Sequence, residues 1–154
     1  MANTYTQIHI HAVFAVQNRT SILSNTLKER LFQYISGIIH NHGHKLIAIN
    51  GMSDHVHVLF GMRPTQSLSE LMQDIKADSS RWINENKMVL GKFSWQEGYG
   101  AFSYSKSQIS TVAKYIENQE NHHSKITFIE EYTKILNDLE LEFNSKYIFK
   151  LISD

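Results

Sequence analysis

The order of strand-like and helix-like stretches along this chain limits the folds that it can adopt. Four strands are predicted, over residues 6–17, 45–50, 55–61 and 93–105. The first three are indicated by their patterns of apolar residues, and the fourth by its content of aromatic residues and glycine. The first strand is the clearest, because every second residue from Ile8 to Val16 is apolar. Only residues 51–54 separate the second strand from the third, which predicts a hairpin.

Amphipathic helices are predicted between the first and second strands and between the third and fourth. Ser24 or Asn25 caps the first helix, and Ser67 with Glu70 forms a capping box at the start of the second. The resulting βαββαβ order predicts an α+β, ferredoxin-like sandwich, in which a four-stranded antiparallel sheet carries two helices on one face. The other face would then be open for a functional site.

Two additional C-terminal helices are predicted after the fourth strand. One begins at Ser107 or Ser110, and the other is capped by Thr127, with Glu130 completing a capping box. No stretch of the chain has the Gly, Ser or Pro content of a linker, so residues 1–154 are predicted to form one domain.

The charge of the chain is balanced overall but unevenly distributed. Residues 1–125 carry 12 Lys and Arg against 9 Asp and Glu, a net charge of +3, whereas residues 126–154 carry 3 against 6, a net charge of −3. Residues 135–154 are therefore expected to form an acidic helix or tail, whose role the sequence does not indicate. Basic patches elsewhere remain compatible with a nucleic-acid partner.

The composition excludes several functional classes. Without Cys, the chain has no disulfide scaffold, no thiolate zinc site and no Cys nucleophile. Its N-terminus lacks the basic segment and long apolar run of a signal peptide, and no stretch approaches the ~18 apolar residues of a membrane span. We therefore expect a cytoplasmic protein with no membrane partner.

The third predicted strand places two histidines on one side of the sheet. Because side chains alternate along a strand, His55 and His57 share a face, roughly 6.6 Å apart at Cα, and can offer two imidazole nitrogens to one divalent metal ion. The spacing also arises by chance in a chain with nine His residues, and His9 and His11 repeat it. Two hydrogen-bonded histidines on a polar sheet face are the structural alternative.

The third predicted helix carries Tyr115 and Gln119 one turn apart. Residues i and i+4 share a helical face, about 6 Å apart. A Tyr hydroxyl can act as a covalent nucleophile, and a Gln carbonyl oxygen is a hard neutral ligand that suits Mg²⁺ or Mn²⁺. With His55 and His57, such a group can hold a cation that polarises a phosphodiester while the phenolate attacks phosphorus. A packing or surface role for Tyr115 is the alternative.

Four segments of the chain together resemble one enzyme family. They are His55-Val56-His57 and residues 5–14, 95–103 and 115–123. The first resembles the His-hydrophobic-His (HUH) motif of the single-tyrosine transposases of small bacterial insertion sequences, which belong with the related repeat-associated tyrosine transposases. The others are similar to that family's first strand, to the segment before its tyrosine helix, and to that helix. The resemblance covers about residues 5–133, with the segments in the family's order.

The resemblance implies a metal-dependent DNA transposase. His55 and His57 match the metal-binding histidines, Tyr115 the nucleophile and Gln119 the third protein ligand, with Mg²⁺ or Mn²⁺ as cofactor. Such an enzyme nicks and rejoins single-stranded DNA at element ends through a 5′-phosphotyrosine intermediate and a free 3′-OH. Family members are homodimers that recognise subterminal hairpins, and in many of them one active site takes its histidines and its tyrosine from different subunits.

Other residues are candidates for supporting roles. His9 or His11 lies on the strand predicted to neighbour the metal pair, where it can support that pair through hydrogen bonds. Five cations are candidate contacts to the DNA backbone: Arg19, Lys76, Arg81, Lys106 and Lys114.

Two other functions are compatible with the sequence. A ferredoxin-like sheet can bind single-stranded nucleic acid without cleaving it, although the predicted polar face carries His rather than paired aromatic residues. A metallohydrolase would use His55, His57 and a water molecule. A Tyr115→Phe substitution separates both from a tyrosine transposase, because only the transposase needs the phenol for a covalent DNA adduct.

Overall fold

The computed structural model of the protein describes residues 4–119 and 126–138. A four-stranded antiparallel sheet has the strand order β2-β3-β1-β4. Its strands are β1 (His9–Ala15), β2 (Lys45–Met52), β3 (His55–Gly61) and β4 (Gly100–Ser103). The helices are α1 (Asn25–Asn41), α2 (Leu68–Glu85), α3 (Ile109–Glu117) and α4 (Phe128–Asp138). The predicted α+β class and βαββαβ order are confirmed.

Helices α1 and α2 begin where their capping residues predict. Ser24 Oγ accepts a hydrogen bond from the backbone N–H of Leu27 at 3.2 Å, and Ser67 Oγ accepts one from Glu70 at 3.1 Å. The apolar stripes of both helices pack on one face of the sheet. The main core there includes Ala12, Phe14, Val56, Val58, Phe60, Leu31, Ile35, Leu71 and Ile75.

The second face of the sheet is covered, and the prediction of an open face is wrong. Helix α4 packs through Phe128, Tyr132 and Leu136 on residues of β1 and β4, and α3 packs through Ile116 on Leu59. Both helices are amphipathic and bury their apolar stripes on this face. The polar side chains of His11, His55 and His57 on this face are therefore buried between the sheet and the two helices.

The fourth strand is shorter than predicted, and the segment before it enters the main core instead. Phe93 is fully buried and Trp95 is 8% exposed. The side chain of Asn84 donates to the carbonyl of Phe93 at 2.9 Å and accepts from its N–H at 2.7 Å. Because these backbone groups pair with a helix side chain, residue 93 does not join the sheet, and Trp95 contributes an isolated bridge to Val16.

The C-terminal helices differ in how well their starts were predicted. Ser105 caps a short 3-10 turn, Lys106–Gln108, that leads directly into α3, so this helix begins at neither predicted serine. Thr127 Oγ1 accepts from the N–H of Glu130 at 3.2 Å, as predicted for α4. Most of the predicted acidic helix or tail, residues 135–154, lies outside the described residues. Among the helices that are described, none has the length and apolar character needed to span a membrane.

Candidate active site

Strand β3 directs His55 and His57 to the face that α3 and α4 cover, where both side chains are fully buried. A carboxylate from α4, that of Glu131, lies against both imidazoles and is itself only 1% exposed. Its Oε1 is 3.0 Å from His57 Nε2 and 3.6 Å from His55 Nε2. One ligand atom from each of the three residues lies within 4.8 Å of the others, so this group can hold a metal ion.

The tautomer of His55 is set by Asp54, the residue before it. Asp54 Oδ1 lies 2.7 Å from His55 Nδ1, and because a carboxylate only accepts hydrogen bonds, Nδ1 carries the proton. Burial of Asp54 favours its neutral form, but the hydrogen bond and charge of His55, helped by Arg19, outweigh this and lower the pKa of Asp54. In the neutral imidazole, the lone pair of Nε2 then points into the site, as metal-binding histidines require.

A third histidine supports His57 from the neighbouring strand. Strand β1 pairs Val13 with His57, so His11 lies diagonally across from it on the same face. Its Nε2 is 2.8 Å from His57 Nδ1, and the two rings stack with centroids 5.0 Å apart. Burial, with a smaller contribution from the neighbouring imidazole of His57, lowers the pKa of His11 to about 3. His11 is therefore a neutral imidazole whose Nε2 can accept a hydrogen bond from His57 Nδ1.

The same carboxylate also joins Tyr115 and Gln119 to the histidines. The Tyr115 hydroxyl donates to Glu131 Oε2, and the Gln119 amide donates to that oxygen at 3.1 Å. The other atom of the amide, Oε1, lies 3.4 Å from His55 Nε2. The structure therefore brings together the four residues that the sequence predicted for the chemistry, all within one chain. Burial, followed by the hydrogen bond to Glu131, raises the pKa of Tyr115 well above its ordinary value.

The spacing of these atoms fits a divalent cation. Metal–ligand bonds of about 2.1 Å place adjacent ligands roughly 3.0 Å apart in an octahedral site and roughly 3.4 Å apart in a tetrahedral one. The separations of 3.0, 3.4 and 3.6 Å among the two imidazole nitrogens and the oxygens of Gln119 and Glu131 lie near these values. The lone pair of His55 Nε2 faces both oxygens, an arrangement that a cation or a proton between them satisfies.

A cavity of about 290 Å³ reaches this cluster from one side. Tyr115 and Glu131 form part of its wall, together with the rings of His11 and Tyr104 and the side chain of Lys134. The phenol can therefore be approached without passing through the packed interface between α4 and the sheet.

Comparison with known proteins assigns the chain to a family. The family model described as "Transposase IS200 like" matches residues 4–119, which is more than half of the chain. The chain belongs to the IS200-like transposase family. The predicted family is thereby confirmed, and the match ends at Gln119, before α4 begins.

Relatives of this IS200-like transposase agree with that assignment. The chain is 25% identical over 118 residues to the ISDra2 transposase TnpA of Deinococcus radiodurans, covering 73% of this chain and 84% of the relative. Two solved structures share its fold. One is described as a transposase from Deinococcus radiodurans (TM-score 0.62, 22% identity, 77% of this chain and 95% of the other). The second is a REP-associated tyrosine transposase bound to a REP hairpin (TM-score 0.61, 16% identity, 82% and 74%).

The other residues singled out in this IS200-like transposase are dispersed. His9 pairs with Gly61, four residues along β3 from His57, so it is not brought to the cluster as His11 is. Lys76 donates to the carbonyls of Gln96 and Gly98 at 2.7 and 2.8 Å, and its burial lowers its pKa. Lys76 therefore holds the segment before β4.

The remaining four candidate DNA contacts fall into two groups. Arg19 lies 4.0 Å from Asp54 and is largely buried, while Arg81 is exposed on α2 and pairs with Asp78 at 2.9 Å. Lys106 and Lys114 are exposed on the 3-10 turn and on α3, the elements that lead to and carry Tyr115. Only these last two combine exposure with a position on the tyrosine helix or its entry.

Sequence reasoning missed Glu131, although the sequence contains a signal for it. Phe128, Tyr132, Ile135 and Leu136 form the apolar stripe of α4, and Glu131 falls within that stripe at helical spacing. A carboxylate on the buried face of a helix requires a partner.

Proposed function

We propose that this IS200-like transposase nicks and rejoins single-stranded DNA at insertion-sequence ends through a 5′-phosphotyrosine intermediate and with a divalent metal ion. The observation that carries the proposal is the link from the phenol of Tyr115 through the Glu131 carboxylate to His55 and His57. A nucleophile and a metal-binding group thus belong to one buried cluster, which the cavity beside Tyr115 makes accessible.

In the proposed chemistry, His55, His57 and Gln119 would hold the cofactor, Mg²⁺ or Mn²⁺, with their unprotonated imidazole nitrogens and the amide oxygen. When bound, this ion supplies positive charge to a non-bridging phosphate oxygen. Asp54 and His11 fix the tautomers of the two histidines through their Nδ1 atoms. The side chains are thereby oriented before substrate binds, which lowers the entropic cost of the reaction.

Tyr115 attacks phosphorus, so that its bond to the phosphate forms as the bond to the 3′ oxygen breaks. The 3′ oxygen takes up a proton from water as it leaves, so the DNA then carries a free 3′-OH, and its 5′-phosphate is attached to the protein. The neutral phenol must lose its proton in this step, and the hydrogen bond to Glu131 directs that proton towards a carboxylate oxygen. Attack of a 3′-OH on the phosphotyrosine reverses the chemistry and rejoins the strand.

The proposed partner is single-stranded DNA with a subterminal hairpin, and the proposed assembly is a homodimer. The hairpin is proposed because a structural neighbour is bound to a REP hairpin. Lys106 and Lys114 are the proposed backbone contacts, since both are exposed beside the tyrosine helix. A chromosomal DNA substrate implies that the protein acts in the cytoplasm.

The test is to incubate the protein with a single-stranded element end and Mn²⁺ and to look for a protein–DNA adduct on a denaturing gel. We expect an adduct with the wild type and none with Tyr115→Phe, which should still bind the hairpin. His57→Ala should also abolish cleavage while leaving hairpin affinity largely intact, because the metal group is separate from the exposed cations.

Two other outcomes would replace the proposal. A Tyr115→Phe variant that still cleaves DNA would indicate a metallohydrolase that uses water. A wild type that binds the hairpin but yields neither adduct nor cleavage with Mg²⁺ or Mn²⁺ would indicate a single-stranded nucleic-acid-binding module without cleavage activity.

A further inference from the structure

We propose that Glu131 is a metal ligand of this protein, contributed by a helix beyond the part of the chain that matches the family model. The inference deepens the proposed function, on which it rests for the use of the same site. The proposed metal ligands are then the imidazole nitrogens of His55 and His57, the amide oxygen of Gln119 and one carboxylate oxygen of Glu131. The carboxylate is the anionic member of an otherwise neutral set.

The two oxygens of the Glu131 carboxylate face different groups. Oε1 faces the imidazole nitrogens of His55 and His57 at 3.6 and 3.0 Å, whereas Oε2 accepts from Tyr115 and Gln119. The two oxygens therefore have separate partners. Hard divalent cations such as Mg²⁺ and Mn²⁺ prefer carboxylate oxygen, so Oε1 is the strongest ligand that the cluster offers them.

Burying the negative charge of Glu131 costs free energy. Glu131 is 1% exposed, and a buried carboxylate needs compensation by positive charge and hydrogen bonds. Tyr115 and Gln119 donate to Oε2, and His57 Nε2 lies at hydrogen-bonding distance, 3.0 Å, from Oε1. A divalent cation between Oε1 and the two Nε2 atoms would supply the positive charge that favours burial of this carboxylate.

Helix α4, which carries Glu131, is firmly packed on the sheet. The ring of Phe128 stacks on that of His55 with centroids 3.9 Å apart, and Tyr132 and Leu136 are buried against β1 and β4. Gly100 of β4 lies so close to the Tyr132 ring that a Cβ atom there would overlap it. Glu131 is thus held at the histidines by a packed interface, as a permanent member of the site.

The contacts of Glu131 also fit a second role, in which its carboxylate blocks the phosphate site. The experiment must distinguish this role from that of a metal ligand. The two carboxylate oxygens bridge the histidines and Tyr115, as two oxygens of a scissile phosphate would, so Glu131 would then block the site until α4 moved. A ligand and a blocking group predict opposite effects of neutralising the charge. Loss of a ligand weakens metal binding and slows cleavage, whereas loss of a blocking group accelerates cleavage.

The experiment is a calorimetric titration of the full chain with MnCl₂ in the absence of DNA, using wild type, Glu131→Gln and Glu130→Gln. Glu130 is the matched control, because it is exposed on the same helix next to Glu131. We expect Glu131→Gln to weaken Mn²⁺ binding at least about 10-fold and the control to bind like wild type. We also expect Mn²⁺ to raise the Tm of the wild type and of Glu130→Gln more than that of Glu131→Gln.

Circular dichroism shows whether Glu131→Gln folds. If it does not, Glu131→Asp replaces it, and the same weakening is expected because the shortened side chain withdraws Oε1 from the histidines. Wild-type Mn²⁺ affinity in the folded variant, or faster cleavage without weaker binding, would overturn the proposal.

The failure of this inference is distinguishable from failure of the proposed function. If Glu131→Gln binds Mn²⁺ normally, His57→Ala does not, and the wild type forms the DNA adduct, only the role of Glu131 is wrong. If the wild type binds no Mn²⁺, the metal-dependent mechanism is wrong as well.

Discussion

The Nε2 atom of His11 lies 2.8 Å from the Nδ1 atom of His57, which joins the two central strands through a buried imidazole pair. His57 therefore has one ring nitrogen occupied by a strand neighbour and the other facing Glu131. The pair fixes the ring orientation before any ion or DNA arrives.

Removing this support should weaken the metal site without removing a ligand. We expect His11→Ala to lower Mn²⁺ affinity about 10-fold, measured by calorimetry, because His57 loses the partner of its Nδ1 atom. His9→Ala is the control, since His9 lies opposite Gly61 and away from His57. Equal affinities for wild type and His11→Ala would show that the ring of His57 is held by its packing alone.

Stability should fall in acid partly because of His11. Its folded-state pKa of about 3 is below the ordinary value of 6.5, so the unfolded chain binds this proton more readily. The stabilisation is complete above about pH 6.5 and is lost as the pH falls towards 3, with a slope of up to about 1.4 kcal/mol per pH unit. Urea unfolding in EDTA at several pH values should show a shallower slope for His11→Gln. Parallel slopes would contradict this assignment.

A methyl group at Gly100 should disturb the site from a distance. The added Cβ would overlap Tyr132, so α4 must shift away from β4 and carry Glu131 with it. We expect Gly100→Ala to cost about 1–3 kcal/mol in the free energy of unfolding and to weaken Mn²⁺ binding. Gly37→Ala in α1 is the matched control, because open space surrounds that position, and it should be neutral or slightly stabilising. Normal Mn²⁺ binding by Gly100→Ala would show that α4 does not position the carboxylate.

The tyrosine and histidines of one active site should come from the same chain. Tyr115 and His57 have ring centroids 6.0 Å apart within a single chain, and Glu131 contacts both. We therefore expect mixtures of Tyr115→Phe and His57→Ala proteins to form no DNA adduct, even after unfolding and refolding together. Adduct formation in the mixture would indicate that subunits exchange their tyrosine helices.

Lys106 and Lys114 should contribute more to DNA affinity than Arg81, which lies on α2. Lys114→Ala and Lys106→Ala should each weaken hairpin binding and reduce the salt dependence of the binding constant by about one ion, because each removes one phosphate contact. Arg81→Ala is the comparison, since Arg81 lies on α2 and pairs with Asp78. Fluorescence anisotropy over a range of salt concentrations measures both quantities. An Arg81→Ala effect as large as that of Lys114→Ala would place the DNA on the α2 side.

The sequence predicted the elements whose local signals agree with their packing. Strand β3 has the predicted bounds, and α1 and α2 begin at Ser24 and Ser67, since period and capping residues are local properties. Residue 93 was wrongly placed in a strand because its backbone pairs with Asn84, nine positions away. Glu131 escaped prediction because its partners, His57 and Tyr115, lie 74 and 16 positions away and meet it only in the folded chain.

Helix α4 follows the segment that matches the family, yet it supplies the carboxylate at the centre of the site. An ion held by Glu131 together with β3 would act as a non-covalent cross-link between the C-terminal region and the sheet. Resistance of that region to limited proteolysis would then report how fully the site is loaded, without any nucleic acid in the assay.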